Sequence, residues 1–253
     1  MLKPIPNTSG TGDWILRQPP SFNGKTAFVL NGAFYGAVVT LMAEAGFERA
    51  STIEDADVVV FIGGSDISPT LYGEPNVHAV GVDSTRDLFE TQVFEKCKSL
   101  GKTMFGICRG AQFLHAMNGG KLWQDVNNHG GRSHNIIDIE FDVRVKATSI
   151  HHQMLQFKDD LTLVAVCEDQ VATSFKDGTT TMTLHKGKGN SGIDELEIEA
   201  GAYDATRCFF VQGHPEIGDP EYRSWTMTKL QDFIREWDGD LRPVKEVIEG
   251  MAM

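Results

Sequence analysis

Residues 103–110 read TMFGICRG, a short apolar run that ends on a cysteine with a glycine two places before it and another two places after it. The run Thr103–Ile107 predicts a β-strand, and the periodicity of Arg109–Met117 predicts a helix directly after it. Cys108 therefore lies where a strand ends and a helix begins. A nucleophile on so sharp a turn needs small neighbours, because a β-carbon there would clash across the turn. The stretch is the cysteine counterpart of the G-x-S-x-G nucleophile elbow.

The predicted helix also activates the cysteine. Its N-terminal end carries a partial positive charge, which favours the thiolate form of Cys108. The backbone N–H of Arg109 is expected to point at the space where a tetrahedral oxyanion would form. The other cysteines, Cys97, Cys167 and Cys208, lie within helix or strand patterns, and we expect them to be structural.

Strands and helices alternate on either side of this stretch. The run at 57–62, DVVVFI, is typical of a strand buried on both faces of a parallel sheet. Residues 136–212 contain further β-like runs, and an amphipathic helix follows at 221–237. We therefore predict an α/β fold: an open, twisted, mostly parallel sheet with helices on both faces and an antiparallel β extension. The other predicted elements are a strand at 26–31 and helices at 33–45 and 84–100.

The length of 253 residues fits one large domain, which we place at residues 25–240. Residues 1–24 carry four prolines among polar residues and are interpreted as an irregular N-terminal arm. Residues 241–253 are interpreted as a tail or a short terminal helix. The stretch at 176–190 is rich in Gly, Thr and Lys and predicts an exposed loop or hairpin.

Acidic residues outnumber basic ones by 35 to 23, which gives a formal net charge of −12. A chain this acidic repels phosphates, so we expect no nucleic-acid partner. It lacks a polybasic stretch, and its longest near-apolar run, residues 33–43, is too short to cross a membrane. With no signal-peptide pattern and no C-x-x-C pair, we expect a reduced, cytoplasmic protein without a disulfide framework or a structural zinc site.

A thiolate nucleophile needs a base, and His214 is the best candidate. It follows the apolar run Cys208–Val211, so it is expected at the same carboxyl edge of the sheet as Cys108, where ligands bind in open parallel sheets. Glu216 can accept a hydrogen bond from its other ring nitrogen, which would fix the tautomer and favour the imidazolium. The chain order Cys, His, Glu differs from that of the α/β-hydrolases, in which the acid precedes the histidine. Proteases of the cysteine-elbow type usually carry His directly after the Cys, where this chain has Arg109.

Six motifs in order along the chain resemble the class I glutamine amidotransferases, and within them the gamma-glutamyl-gamma-aminobutyrate hydrolase group. Together they extend over roughly residues 57–218. The motifs are GGSDISPTLYGE at 63–74, RDLFE at 86–90, GICRGAQFL at 106–114, GGKLWQD at 119–125, SIHHQ at 149–153 and QGHPE at 212–216.

The resemblance implies a catalytic triad of Cys108, His214 and Glu216, with Gly64 as the second oxyanion donor beside Arg109. It also implies a group of substrate-binding residues. Gln112 lies in the helix after the nucleophile, and Arg86 lies near the pocket. Ser149, His151 and His152 belong to a loop that closes over the glutamyl group.

Two departures from the family pattern and two further histidines bear on these roles. Gly213 stands where relatives carry an aromatic residue, and we expect it to widen the pocket floor. The acidic stretch at 193–208 is less regular than the family pattern and leaves the subgroup's specificity open. His129 and His134 have no cysteine or carboxylate near them in sequence, so we interpret them as loop residues. We expect no metal and no organic cofactor.

The predicted activity is cysteine-dependent hydrolysis of a γ-glutamyl amide through a glutamyl-thioester. The small-molecule substrate is either glutamine, whose ammonia passes to a synthetase partner in trans, or a γ-glutamyl amine that a stand-alone hydrolase cleaves. Two alternatives stay open: a non-catalytic binding or regulatory member of the fold, and a cysteine peptidase of the same fold.

Overall fold

Fourteen strands and four α-helices make up the described part of the chain, residues 20–184 and 196–238 of a computed structural model. The strands are β1 (Thr26–Val29), β2 (Glu48–Arg49), β3 (Val58–Phe61), β4 (Thr103–Ile107), β5 (Leu122–Trp123), β6 (Asp125–Val126), β7 (Gly130–Asp138), β8 (Val143–Ile150), β9 (Met154–Leu155), β10 (Thr162–Cys167), β11 (Ser174–Lys176), β12 (Thr181–Thr183), β13 (Ile198–Tyr203) and β14 (Cys208–Val211). The helices are α1 (Tyr35–Glu44), α2 (Ser84–Ser99), α3 (Arg109–Met117) and α4 (Pro220–Trp237).

The centre of the larger sheet is parallel. Its order is β2-β1-β3-β4-β14, and each neighbouring pair in this series runs in the same direction. Phe105 in β4 lies opposite Val60 on one side and Phe209 on the other. Every residue of β3, β4 and β14 is buried, as expected for strands covered on both faces. Because these strands are parallel, the residues that follow them emerge at one edge of the sheet.

An antiparallel extension continues the sheet beyond β14, in the order β13-β10-β7-β8. Strand β9 also pairs with β13, and β5 pairs with β9. A smaller antiparallel sheet consists of β12, β11 and β6. The predicted α/β fold with an antiparallel β extension is therefore confirmed.

Helices cover both faces of the parallel strands, and alternate strand residues pack on each. Val60 of β3 and Phe105 of β4 belong to a core that includes buried residues of α1 and α4. Phe61 and Met104 point the other way, into a core that includes buried residues of α2 and α3. Complete burial of each such side chain stabilises the fold by roughly 1.5–3 kcal/mol. This two-sided packing fixes α3 against the sheet directly behind the candidate nucleophile.

The bounds of the predicted elements differ from the structure by a residue or two. Helix α1 begins at Tyr35 rather than at residue 33, because Phe34 adopts a left-handed conformation with φ 58°. Helix α2 begins where predicted, since the Asp83 carboxylate accepts hydrogen bonds from the first backbone N–H groups. The predicted hairpin appears in part, as β11 and β12.

The predicted tail at 241–253 lies outside the described residues. So do residues 1–19 of the predicted arm and residues 185–190 of the predicted loop. The described end of the arm packs on the domain, where Phe22 stacks on Phe47 with ring centroids 4.2 Å apart. The proposed domain limits stay a prediction. Within the described part of the chain, no helix combines the length and the apolar character that a bilayer crossing requires.

Candidate active site

Cys108 occupies a strained turn between β4 and α3. Its backbone has φ 53° and ψ −109°, a conformation that residues other than glycine rarely adopt. The Cys108 N–H donates to the carbonyl of Val211 at 2.9 Å, and its own carbonyl accepts from the Gln112 N–H at 3.1 Å. The cysteine is therefore held by the neighbouring strand on one side and by the first helical turn on the other. Strain of this kind concentrates at functional sites, where the surrounding structure enforces it.

The two glycines beside Cys108 allow a close approach of backbone to backbone. A β-carbon on Gly110 would lie 2.1 Å from the carbonyl oxygen of Phe61 in β3. One on Gly106 would lie 2.8 Å from the carbonyl carbon and oxygen of Gly110. The clash expected from the sequence is therefore present, and it comes from both β3 and the helix start.

His214 and Glu216 follow β14 and lie beside the cysteine. The Nδ1 atom of His214 lies 2.7 Å from Oε1 of Glu216, and Cys108 is close enough to the ring to raise its pKa. All three side chains are buried, with Cys108 7% exposed. The His214 ring contacts the edge of Phe34 and passes close to Gly63, where a β-carbon would lie 2.9 Å from Cε1. Gly63 therefore leaves the space that the imidazole occupies.

The electrostatic environment favours a proton on His214. Burial alone would lower its pKa, but hydrogen bonds to Cys108 and Glu216, together with their negative charges, outweigh burial and raise the pKa to about 10. The imidazolium is therefore the stable form of His214 at neutral pH. This arrangement supplies both a nucleophile and a proton donor.

The side chain of Arg109 takes part in a buried ion-pair network with α2. Its guanidinium lies 2.6 Å from Asp87 and also pairs with Glu90. Glu90 accepts a further hydrogen bond from Nε of Arg86 at 2.7 Å. The network therefore ties the start of α3 to α2.

Arg86 extends this network to the turn that follows β3. Its guanidinium donates to the carbonyls of Ile62 at 2.8 Å and Gly63 at 3.0 Å. Gly64, the next residue, has φ 156°, and a β-carbon there would lie 2.1 Å from the Arg86 guanidinium. Arg86 therefore braces the turn that carries the expected second oxyanion donor.

Comparison with known protein families matches residues 27–216 to Peptidase C26. The chain belongs to the Peptidase C26 family. The resemblance to class I glutamine amidotransferases that the motifs indicate is thereby confirmed.

Two relatives illustrate the breadth of this family. The chain is 30% identical over 163 residues to the glutamine amidotransferase-like protein YvdE of Lactococcus lactis subsp. lactis, across 63% of this chain and 66% of that protein. It is also 30% identical over 120 residues to the gamma-glutamyl-CDP-amidate hydrolase of Campylobacter jejuni, across 47% of this chain and 54% of that protein. The chain thus spans less than two thirds of the length of each of these relatives.

A solved structure of a glutamine amidotransferase from Thermotoga maritima shares the fold. It superposes with a TM-score of 0.51 at 13% identity, and the match covers 84% of this chain and 85% of that one. At this identity the likeness concerns the fold alone.

The residues expected to bind substrate differ in how far their side chains are exposed. Gln112 lies in α3, one turn after the nucleophile, and is buried. His152 is the most accessible, with 37% of its side chain exposed, and pairs with Asp66 at 2.8 Å and Asp125 at 3.4 Å. The hydrogen bond that the His152 ring donates to Asp66 outweighs burial and raises the pKa of His152.

Ser149 and His151 face inward instead. The Ser149 hydroxyl donates to the carbonyl of His129 at 2.6 Å, and the His151 ring contacts the carbonyl of Gln153 at 2.9 Å. Burial lowers the pKa of His151 to about 3, so its ring is neutral. A role for these two side chains in substrate binding stays a prediction.

One expectation from the sequence holds only in part, and another is wrong. His134 is part of β7 rather than a loop, whereas His129 lies in the loop before β7, as expected, but is fully buried; strand pairing brings Cys167 and Glu199 beside both. Gly213 does not open a pocket floor, because a β-carbon there would lie 2.6 Å from the hydroxyl of the buried Tyr222.

Two contacts at the site were not predicted from the sequence: that of Phe34 with the His214 ring, and the ion pairs of Glu90 with Arg86 and Arg109. The four-residue spacing of Arg86 and Glu90 on one helix face was the available signal for an ion pair. No local signal marks Phe34, whose position depends on the turn after β1.

Proposed function

We propose that the chain is a cysteine-dependent hydrolase of γ-glutamyl amides. The observation that carries this proposal is the arrangement at the strained turn: the Cys108 thiol, beside it the His214 ring whose pKa it raises and, 2.7 Å from that ring, the Glu216 carboxylate. A buried, structural cysteine needs neither this backbone strain nor two glycines beside it. The family membership of the chain adds support.

In the proposed reaction, the Cys108 thiolate attacks the side-chain carbonyl of the γ-glutamyl group. The N–H groups of Arg109 and Gly64 stabilise the oxyanion, and losing one such donor typically slows the reaction by about 10²–10³. His214 gives its proton to the leaving amine as the carbon–nitrogen bond breaks. A glutamyl-thioester of Cys108 remains.

Hydrolysis of the thioester uses the same histidine as a base. Once Cys108 is acylated, its negative charge no longer holds the proton on His214, so the pKa of the ring falls and the neutral form can accept a proton from water. The hydroxide formed attacks the thioester, glutamate leaves, and the thiolate is restored. Glu216 orients the ring through both steps.

We assign substrate recognition to the residues around this turn. Gln112 would contact the amino-acid end of the glutamyl group, and His152, exposed beside Asp66, would contact it from the loop after β8. Ser149 and His151 would support that loop from inside. Because thiolate chemistry needs a reducing compartment, and the four cysteines are free, we propose a cytoplasmic location.

The leaving group distinguishes two versions of this function. In one, it is ammonia from glutamine, which a separate synthetase would consume. In the other, it is a larger amine, and the chain acts as a stand-alone hydrolase, the activity named for the Campylobacter relative.

The proposal is tested by measuring glutamate release from three kinds of substrate: glutamine, a panel of γ-glutamyl amines, and an α-linked peptide for comparison. The Cys108→Ala variant is the control. Turnover of a γ-glutamyl amine that the variant lacks supports the stand-alone hydrolase. Slow glutamine hydrolysis alone, with Cys108 trapped by a glutamine-analogue electrophile, supports an amidotransferase that works with a separate synthetase. Turnover of the α-linked peptide alone indicates a peptidase. No turnover and no trapping would overturn the triad and favour a binding protein.

A further inference from the structure

A second group of chemically reactive side chains lies in the antiparallel extension, apart from the candidate triad. It consists of His129, His134, Cys167 and Glu199, which come from the segment before β7, from β7, from the end of β10 and from β13. One ligand atom from each lies within 4.8 Å of the others. His129 and Glu199 are fully buried, and 8% of the His134 side chain is exposed. We call these residues the extension cluster.

Strand pairing sets the spacing of the extension cluster. Strand β10 lies between β7 and β13, with Cys167 opposite Ile136 and Val166 opposite Ile198. The backbone N–H of Cys167 donates to the carbonyl of Glu197 at 2.9 Å. The three strands thus present their donors to one point as part of a rigid sheet, so little conformational entropy remains to be lost on binding an ion.

Glu199 lies at the centre of the cluster. Its Oε1 atom is 2.9 Å from Nε2 of His134, 3.4 Å from the Cys167 sulfur and 3.7 Å from Nδ1 of His129. Its other oxygen, Oε2, is buried without a hydrogen-bond partner among the described residues. An unsatisfied buried acceptor destabilises the fold, more so when it is charged, and a cation bound by this carboxylate would offset that cost.

The donor set fits zinc. Two imidazoles, one thiolate and one carboxylate are typical zinc ligands, bound at about 2.0–2.3 Å in a tetrahedron whose ligand atoms lie roughly 3.5 Å apart. The separations from Glu199 Oε1, 2.9–3.7 Å, are close to this value, and the four donor atoms lie within 4.8 Å of one another, so small side-chain movements would complete the tetrahedron. The nitrogen and sulfur donors disfavour calcium and magnesium, which prefer oxygen.

A carboxylate outside the cluster orients one of its histidines. Glu197 Oε2 lies 2.5 Å from Nε2 of His129, and the same carboxylate accepts the backbone N–H groups of Val171 and Ala172. A proton held on Nε2 leaves Nδ1 unprotonated, 3.7 Å from Glu199 Oε1 and 3.1 Å from the Ser149 hydroxyl, whose own proton goes to the His129 carbonyl. Histidine ligands of zinc are commonly oriented by a carboxylate in this way.

We propose that the extension cluster binds one structural Zn²⁺ through His129, His134, Cys167 and Glu199. Four protein ligands close the site, so the ion would clamp β7, β10 and β13 together without entering the hydrolytic reaction. The Gln212 N–H donates to the carbonyl of Glu199, which joins the clamp to the segment that carries the candidate base. Because the ligands follow no local cysteine motif, they could not be recognised as a set from the sequence.

Metal analysis of the full chain, purified without a metal-affinity step or chelator, tests the proposal. After incubation with one equivalent of zinc and desalting, we expect about one zinc per chain. Replacement by Co²⁺ should give a near-ultraviolet thiolate-to-cobalt band. Protein that retains no zinc would overturn the proposal, whatever its activity on γ-glutamyl substrates.

Cysteine variants identify the ligand. The cobalt band should vanish in Cys167→Ser and persist in Cys108→Ser and in the matched buried control Cys208→Ser. A band that is lost in Cys108→Ser but kept in Cys167→Ser would place the metal at the triad and refute the proposal. If Cys167→Ser does not fold, Glu197→Gln serves as the second variant and should weaken zinc affinity by about 10–100-fold; unchanged affinity there would contradict the proposed site.

Discussion

An alanine at position 110 would place a β-carbon 2.1 Å from the carbonyl oxygen and 2.5 Å from the carbonyl carbon of Phe61. An ordinary contact needs at least 3.4 Å, so α3 and β3 would have to separate by more than an ångström. Neither can give way easily, because Phe61 is fully buried in the centre of the parallel sheet. Overpacking of this kind costs about 1–3 kcal/mol, occasionally more, and a backbone partner favours the upper end.

Urea denaturation measures this cost. For a chain of this size, with an m-value near 3 kcal/mol/M, a loss of about 3 kcal/mol lowers the midpoint by about 1 M. Gly36→Ala is the matched control, since nothing lies within 4 Å of its β-carbon position in the first turn of α1. That change should leave the free energy of unfolding unchanged or raise it by up to about 1 kcal/mol, which moves the midpoint up by at most about 0.3 M. A Gly110→Ala midpoint equal to that of the unmodified chain would refute the close-approach argument.

Three further predictions concern the candidate site and its support. Because the pKa of His214 is raised to about 10, kcat/KM for glutamate release should decline only as the pH rises through that value; a decline centred near pH 6.5 would contradict the imidazolium assignment. Glu216→Gln removes the charge beside the ring and should shift this decline down by about one pKa unit, equivalent to about 1.4 kcal/mol, which the same pH profile measures. Arg109→Met leaves the buried Asp87 carboxylate without its ion-pair partner and Glu90 with Arg86 alone, and should destabilise the fold by about 3–5 kcal/mol in urea, whereas Lys96→Met, which breaks an exposed pair, should change the midpoint little; equal effects would contradict the network.

The sequence predicted the elements that depend on local pattern. The strand before Cys108 and the helix after it have the bounds expected, because an apolar run, flanking glycines and helical periodicity all lie within fifteen residues. The alternation of strands and helices likewise indicated a parallel sheet. The proximity of His214 to Cys108 was predicted because each residue follows a strand of the parallel sheet, and the carboxyl ends of such strands meet at one edge.

The antiparallel extension was predicted only in outline, for a physical reason. Pairing of β7, β10 and β13 depends on contacts between segments far apart in the chain, which no short window records. His129, Cys167 and Glu199 therefore looked unrelated in sequence, although the sheet brings them together. The same holds for Gly213, whose surroundings are decided by the packing of α4.

The ion pairs of α2 connect the two segments on either side of the reacting centre, so that these segments move together. Arg86 holds the turn after β3 and Arg109 belongs to the start of α3, yet both guanidiniums are fastened to Glu90. Thermal displacement of α2 would carry the two sides of the centre in the same direction. The distance between the Cys108 thiol and the backbone N–H groups of the turn after β3 would then fluctuate less than the position of the thiol or of the turn. Little reorganisation would therefore be needed as charge develops on a bound carbonyl.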